Sequence, residues 1–231
     1  MRISLLSLLA ALPLAACTGK GDDTGGPDAH DSTNDTDSHL GACGAYMSGV
    51  GSVLTYSFTA ASQMTGTSVV TFTSLDSASG DAVFTSITDI ASAQYTSSST
   101  TIQNMRCQAD GIFDLSSTTD YSVVASGTSF GGTTETTYGP PMLVLPADVA
   151  VGSNWDMSTD GTTTDSNAGS STFSISQTAA VTGAESVTVP AGTYDTLAIT
   201  YTPSSGDPSH AWIAAGVGTV KSDTTELSAA H

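Results

Sequence analysis

Apolar and polar side chains alternate with a period of two residues along most of this chain. Leu54, Tyr56 and Phe58, for example, are separated by the polar residues Thr55 and Ser57. The same alternation recurs at Val70 and Phe72, Val83 and Ile87, Tyr121 and Val123, Phe173 and Ile175, and Leu197, Ile199 and Tyr201. A strand with one buried face has this period and favours such β-branched and aromatic residues. The pattern predicts roughly ten antiparallel strands.

Residues that favour tight turns separate these strands. They stand at Ser79-Gly80-Asp81, Ala109-Asp110-Gly111, Gly131-Gly132, Gly139-Pro140-Pro141, Asp160-Gly161 and Ser205-Gly206-Asp207. Beyond the N-terminal region no segment has an apolar period of 3.6 residues, so helices should be few and short. We therefore predict an all-β fold in which a curved antiparallel sheet forms a half-barrel or an open barrel.

The N-terminus carries an export signal. Arg2 gives it a positive start, and the apolar run over residues 3–14 is shorter than the roughly 20 residues of a membrane-spanning helix. Leu14-Ala15-Ala16-Cys17 resembles the lipobox of bacterial lipoproteins, in which the cysteine thiol receives a diacylglyceryl group. The resemblance implies that residues 1–16 are a signal peptide and that Cys17 becomes a lipid anchor with acyl chains such as palmitate. Thr18, where Asp would signal inner-membrane retention, implies the outer membrane.

Residues 17–42 are predicted to form an acidic, flexible tether between that anchor and the folded domain. The segment consists almost entirely of Gly, Asp, Ser, Thr, Asn, Pro and His. Such a composition buries too little apolar surface to offset the entropy lost on ordering. Its six acids do not form a calcium loop, because Leu40 and Tyr46 stand where a loop starting at Asp35 needs Gly and Glu. Residues 43–231 are predicted to form a single β-rich domain.

The chain is strongly acidic, with a formal net charge of -18. Within the predicted domain, residues 43–231, the carboxylates are accompanied by only two cations, Arg106 and Lys221. Binding to nucleic acid depends on Lys and Arg that neutralise phosphates, and docking to anionic lipid headgroups depends on the same residues. The composition therefore argues against nucleic acid as a partner and leaves the Cys17 lipid as the predicted contact with the membrane.

Cysteine usage agrees with export. Once Cys17 is acylated, Cys43 and Cys107 remain as a pair, and a disulfide between them is expected in the oxidising periplasm or at the cell surface. Two buried free thiols are the alternative. No CxxC motif and no Cys/His spacing typical of zinc occurs, so we predict neither a metal site nor a cofactor.

Two motifs in the second half resemble signatures of bacterial envelope lipoproteins of unknown function. One is Pro190-Ala191-Gly192 within residues 185–197, and the other is Gly216-Val217-Gly218 within residues 212–221. The sequence departs from the second signature at Ile213 and Ala215. These families are placed near the LolA/LolB-like half-barrels, so the resemblance implies a curved sheet around an apolar concavity. Its candidate lining residues are Tyr56, Phe58, Phe72, Phe84, Tyr194 and Trp212.

One sequence motif is associated with catalysis. Gly127-Thr128-Ser129-Phe130-Gly131 matches the G-x-S-x-G pattern, which requires a strand, a sharp turn and a following helix. The residues after Gly131 begin a helix poorly, so a hairpin turn rich in Gly and Ser is the favoured interpretation. A serine esterase that uses Ser129 with His210 and Asp207 remains a remote alternative.

We therefore predict that the chain is not an enzyme. The expected function is a structural or interaction role at the cell envelope, on a lipoprotein anchored in the outer membrane. The alternative is binding or carriage of a lipid-like hydrophobic molecule in the half-barrel. The corresponding partners are the membrane, reached through Cys17, and either an envelope protein or a hydrophobic small molecule.

Overall fold

The computed structural model describes residues 42–60 and 64–231. One short helix, α1 (Ala42–Tyr46), precedes twelve strands. The strands are β1 (Val53–Ala60), β2 (Met64–Leu75), β3 (Asp81–Ala91), β4 (Tyr95–Gln108), β5 (Gly111–Ala125), β6 (Thr128–Pro146), β7 (Asn154–Asp165), β8 (Gly169–Val189), β9 (Gly192–Pro203), β10 (Ser209–Ala214), β11 (Gly218–Ser222) and β12 (Thr225–Ala230). The predicted all-β class, with few and short helices, is confirmed for these residues.

The strands form a closed antiparallel barrel in which each strand pairs with its neighbours in sequence. β1 closes the sheet because it pairs with β2 on one edge and with β12 on the other. The predicted half-barrel or open barrel is therefore wrong, and so is the count of roughly ten strands. Closure leaves no terminal edge strand, and an exposed edge would offer unpaired N–H and C=O groups to other chains.

Three of the six predicted turns lie between strands, and three do not. Gly131-Gly132, Gly139-Pro140-Pro141 and Asp160-Gly161 lie inside β6 and β7, which are longer than their local sequence indicates. At Gly161 the reason is close packing, because a side chain there would collide with the ring of Phe173 on β8. Phe173 in turn packs edge-on against Tyr138, with ring centroids 5.9 Å apart.

The apolar core fills one end of the barrel. The predicted alternation directs Leu54, Tyr56, Val70 and Phe72 inward, where they meet inward side chains of the other strands. The largest completely buried side chains are Phe72, Leu54, Ile112, Leu145, Ile199 and Leu227. Burial of a side chain of this size stabilises the fold by about 1.5–3 kcal/mol.

Helix α1 and the β8–β9 turn close the same end, which we call the helix end. The carbonyl of Ala45 in α1 accepts a hydrogen bond from Gly216 N at 2.7 Å, and α1 packs against β4 and β5. Ala191, in the turn between β8 and β9, donates its N–H to Leu227 O at 3.2 Å. Gly192 has a φ of 147°, which glycine adopts without strain.

Hydroxyl groups line the inner face toward the opposite end, which we call the far end. Ser68 bonds to Thr88 at 2.9 Å and Thr101 bonds to Thr119 at 2.9 Å, each across a strand pair. Thr136 and Thr163 form a similar pair at 3.3 Å. The interior thus changes from apolar at the helix end to polar along β2–β7.

Candidate functional site

Three of the six predicted lining residues belong to the packed core. Phe72 and Phe84 are 1% and 4% exposed, and their rings stack with centroids 4.5 Å apart. Tyr56 is also buried and donates its hydroxyl to Thr219 O at 2.8 Å. Burial is the main cause that raises the pKa of Tyr56 well above its usual value. These side chains fill the helix end of the barrel.

The other three lie in different surroundings. Phe58 is half-buried on β1, with its ring where a side chain of Gly66 would otherwise stand. Tyr194 packs beside the β8–β9 turn and donates a long hydrogen bond to Ala191 O at 3.4 Å. Trp212 lies on the outer wall, since its neighbours Ala211 and Ile213 point inward. The six residues do not come together around one hollow.

Trp212 is fixed to that outer wall by polar contacts. Its indole N–H donates to Glu185 Oε1 at 2.6 Å, and it pairs across the sheet with Lys221. Lys221 is itself ion-paired with Glu226 at 2.8 Å. The tryptophan therefore acts as a packing residue of the outer wall rather than as part of an interior pocket.

A buried carboxylate, which the sequence analysis did not single out, lies between the apolar core and the hydroxyl-lined interior. Asp114 is 1% exposed, and its Oδ1 accepts a hydrogen bond from Gln103 Nε2 at 2.7 Å. Its Oδ2 has no hydrogen-bond partner among the described residues. Burial raises the pKa of Asp114 to about 7, and the Gln103 bond only partly opposes this shift. In the sequence, the only signal for this buried carboxylate was its spacing of two residues from Ile112, which places both side chains on the inward face of the strand.

The barrel wall is interrupted between β6 and β7. The two strands pair only over residues 134–138 and 161–165, whereas β7 pairs with β8 along its whole length. Pro140 and Pro141 have no N–H to donate to a ladder, and across this stretch Thr159 Oγ1 donates a hydrogen bond to Pro140 O at 2.5 Å. We call this interruption, between residues 139–146 of β6 and 154–160 of β7, the seam.

An open hollow of about 580 Å³ lies on the outer wall where the seam begins. It is lined mainly by Thr137, Gly139, Asp160, Thr162 and Ser174. Asp156 and Asp160 project outward from β7 along the seam, and Asp148 is exposed in the connection between the two strands. The described residues include one Arg and one Lys, and both lie away from the seam. Arg106 is ion-paired with Asp81, and Lys221 is ion-paired with Glu226. The seam is therefore a negatively charged surface.

A second hollow, of about 510 Å³, lies on the outer wall at the far end. Most of its lining side chains are uncharged, and they include Thr65, Thr67, Thr96, Ser98 and Val124. Asp89 is the one charged residue in its lining. The hollow contains no pair of groups suited to acid and base catalysis.

Ser129 lies in a strand directly after a hairpin turn. Ser126 and Gly127 form the turn with φ values of 51° and 77°, and Ser129 pairs with Val124 on β5. The predicted Gly/Ser-rich hairpin is confirmed, and the helix that a nucleophile elbow requires does not follow. His210 bonds through Nδ1 to Asp223 at 3.1 Å, rather than to the proposed Asp207.

The cysteine predictions are only partly accessible to the structure. Cys17 and residues 1–41 lie outside the described residues, as does the side chain of Cys43. Cys107 is buried on β4, with its sulfur 3.4 Å from Met47 Sδ. Because α1 carries Cys43 and packs against β4, the two cysteines lie on contacting elements. Their disulfide stays a prediction.

The described residues contain neither a cluster of metal-ligating side chains nor a long apolar helix. No group of three or more His, Cys, Asp or Glu side chains there is arranged to hold a metal ion. Among the same residues, no helix is long and apolar enough to cross a membrane.

Comparison with known proteins gives one match. No curated protein and no solved structure matches the chain. The DUF3108-like family model matches residues 50–227, which include nearly the whole barrel from β1 to β12. On this match, the chain belongs to the DUF3108-like family.

Proposed function

We propose that this chain is a membrane-anchored envelope lipoprotein whose barrel has a non-enzymatic structural or interaction role. The observation that carries the proposal is the filled helix end, where Phe72 and Phe84 stack on each other. Side chains that pack the interior leave the outer wall as the surface available to partners. DUF3108 proteins are often lipoprotein-like proteins of the bacterial envelope, which supports the same role.

The proposed anchor is Cys17, which carries the lipid after residues 1–16 are removed. Stable anchoring needs more than one acyl chain, and a diacylglyceryl group with an added N-acyl chain provides it. The described chain enters the barrel through α1, so the tether joins it at the helix end. We place the protein in the outer membrane, with the far end directed away from the anchor.

Replacing the anchor residue tests the localisation. We expect Cys17→Ser to move the protein from the membrane pellet to the soluble fraction, because the acylated thiol is lost. Detergent partitioning and intact mass would measure this. Substitution of Thr18 by Ser is the matched control and should leave the protein in the membrane. Unchanged membrane partitioning of Cys17→Ser would contradict the lipid anchor.

We also propose that Cys43 and Cys107 form a disulfide that fixes α1 to the helix end. Closing a loop of about 65 residues constrains the unfolded chain by roughly 4 kcal/mol in the entropic description. Mass spectrometry of the exported protein, without reductant, should find one peptide pair joined through these cysteines. Alkylation of both thiols under the same conditions would show that the pair is reduced.

Binding of a lipid-like molecule is the second candidate function, and one observation favours it. Ile90, Val123 and Phe130 stand in one row of paired inward positions at the far end, and Phe130 is 55% exposed. An acyl chain would bury this row. The LolA/LolB-like resemblance in the sequence points in the same direction.

Lipid analysis separates the two functions. The Cys17→Ser protein, purified gently, should yield no stoichiometric lipid on extraction and no saturable binding of an apolar dye. Saturable binding that Phe130→Ser weakens, while the exposed outer-wall substitution Ile102→Ser does not, would favour the second function instead.

A further inference from the structure

The first part of β8 has a strand partner on one side only. Residues 169–176 pair with β7 along their whole length. On the other side, the ladder with β9 begins only at Gln177 and Pro203, and Ser176 O accepts one further hydrogen bond from Ser204 N at 3.0 Å. Among the described residues, no strand pairs with residues 169–175 on this side. At about 3.4 Å per residue, these seven residues form an edge about 24 Å long.

The edge exists because the strands that close the barrel are short. β10, β11 and β12 contain six, five and six residues, whereas β8 contains 21. β9 ends at Pro203, which has no N–H with which to continue the ladder. Solvent reaches the part of β8 that is left, since Ser171 is exposed on its inward face and Thr172 on its outward face. The sheet is therefore closed toward the helix end and open beside β8 toward the far end.

This edge lacks the features by which proteins usually keep an exposed strand from pairing. Charged side chains, proline and β-bulges are common among them. Residues 169–176 consist of Gly, Ser, Thr, Phe and Ile, and their register with β7 runs without a bulge. Unpaired backbone N–H and C=O groups on such an edge are the groups to which an added strand binds.

The charge of the edge indicates which strand it suits. The chain has a formal net charge of -18, yet residues 169–176 carry none. A cationic segment would gain no ion pair with these residues. A second copy of the same edge is self-complementary, because antiparallel pairing about Thr172 places Ser171 opposite Phe173 of the second copy. No carboxylate of residues 169–176 then opposes another.

We propose that two copies of this chain associate by antiparallel pairing of their β8 edges, residues 169–176, across a two-fold axis. The inference rests on the proposed function and deepens it, because it names a second copy as the partner of the interaction module. One added strand pair buries less surface than a standard interface, and the like net charges of the copies repel each other. The dimer is therefore weak, and salt strengthens it by screening that repulsion.

Sedimentation equilibrium of the Cys17→Ser protein measures the association. We expect a monomer–dimer equilibrium in the micromolar range that tightens at least about twofold between about 0.05 M and 0.5 M salt, since the Debye length shortens. Thr172→Glu should weaken it about fivefold, because like charges then face each other across the axis. Thr178→Glu is the matched control, since Thr178 lies on the same face of β8 but pairs with strands on both sides. It should change the association less than twofold.

Two proline variants test the backbone of the edge. In a strand, neighbouring N–H groups point to opposite sides, so one of Ser171 and Thr172 donates toward β7 and the other toward the free edge. Of Ser171→Pro and Thr172→Pro, one should lower the melting temperature. The other should melt like the parent protein and remain monomeric, because proline is tolerated where an N–H faces no partner strand.

Four results would overturn the proposal. They are a monomer at every salt and protein concentration, a dimer that persists in both proline variants, and equal weakening by Thr172→Glu and Thr178→Glu. The fourth comes from a photo-cross-linking residue at position 172 in cells, where joining to a different protein, rather than to a second copy, would assign the edge to that partner. None of these results affects membrane anchoring through Cys17 or the lipid extract, so a failure of the dimer is distinguishable from a failure of the proposed function.

Discussion

Asp114→Asn is expected to stabilise the protein at pH 8 by up to about 4 kcal/mol and to leave its stability at pH 4 nearly unchanged. The folded chain raises the pKa of Asp114 from 3.8 to about 7, mainly by burial. A shift of about three units corresponds to about 4 kcal/mol. Because the folded pKa is above the unfolded one, stability is full below pH 4 and falls as the pH rises toward 7. Urea unfolding across pH 4–8 measures the difference.

Other carboxylates change the stability of the protein below pH 4, outside the range in which Asp114 titrates. The pKa values of Asp76 and Asp165 are lowered first by backbone hydrogen bonds, and that of Asp81 by its bond to Arg106. Their contributions are present above pH 4 and are lost as the pH falls below it, which is the opposite sign. Asp89→Asn, at an exposed position, serves as the control. A wild-type stability that stays flat between pH 4 and pH 8 would contradict the buried, neutral state of Asp114.

Phe72→Ala is expected to destabilise the barrel by about 4 kcal/mol, which is typical of a buried phenylalanine. The substitution removes the ring that stacks on Phe84 and leaves a cavity among side chains that are almost completely buried. Urea unfolding of the Cys17→Ser protein at pH 5 measures the loss. Phe130→Ala is the matched control, and its exposed ring should cost less than about 1 kcal/mol.

The same experiment tests whether the helix end is filled. A loss below about 1 kcal/mol for Phe72→Ala would indicate an interior that already contains space, as a carrier of hydrophobic molecules requires. A double-mutant cycle with Phe84→Ala should give a coupling of about 0.5–1.5 kcal/mol, because the two rings stack on each other. Additive losses would show that the two rings act independently.

Part of the barrel core was predictable from local sequence, whereas Ile87, which belongs to the same predicted alternation, is 47% exposed on the outer face. Leu54, Tyr56 and Phe72 follow the alternation that a half-buried strand requires, and all three are buried. The Ser126-Gly127 hairpin was also predictable, since glycine supplies the positive φ of a two-residue turn. The hydroxyl-lined strand region was harder to interpret, because Ser97, Ser99 and Thr101 show no contrast with the polar residues between them.

Some residues that favour turns lie inside strands, because tertiary packing decides their local structure. Gly161 is typical of a turn, yet it lies inside β7 because the ring of Phe173 occupies its side-chain space. Pro140 and Pro141 do interrupt structure, but they interrupt the pairing of β6 with β7 rather than the strand itself. The local sequence shows that Pro140 and Pro141 lack a hydrogen-bond donor. It does not show which pair of strands loses its ladder as a result.

The sequence by itself determined the strand periodicity, core positions such as Leu54, Tyr56 and Phe72, and the acidic character of the surface. These properties depend on residues two positions apart or on composition alone. Only the tertiary structure decided that β1 meets β12, that Asp114 is buried with an unpartnered oxygen, and that the ladder between β6 and β7 stops at Tyr138 and Gly161. Each of these depends on the register between strands, and strands distant in sequence are brought together by the packing of the whole sheet.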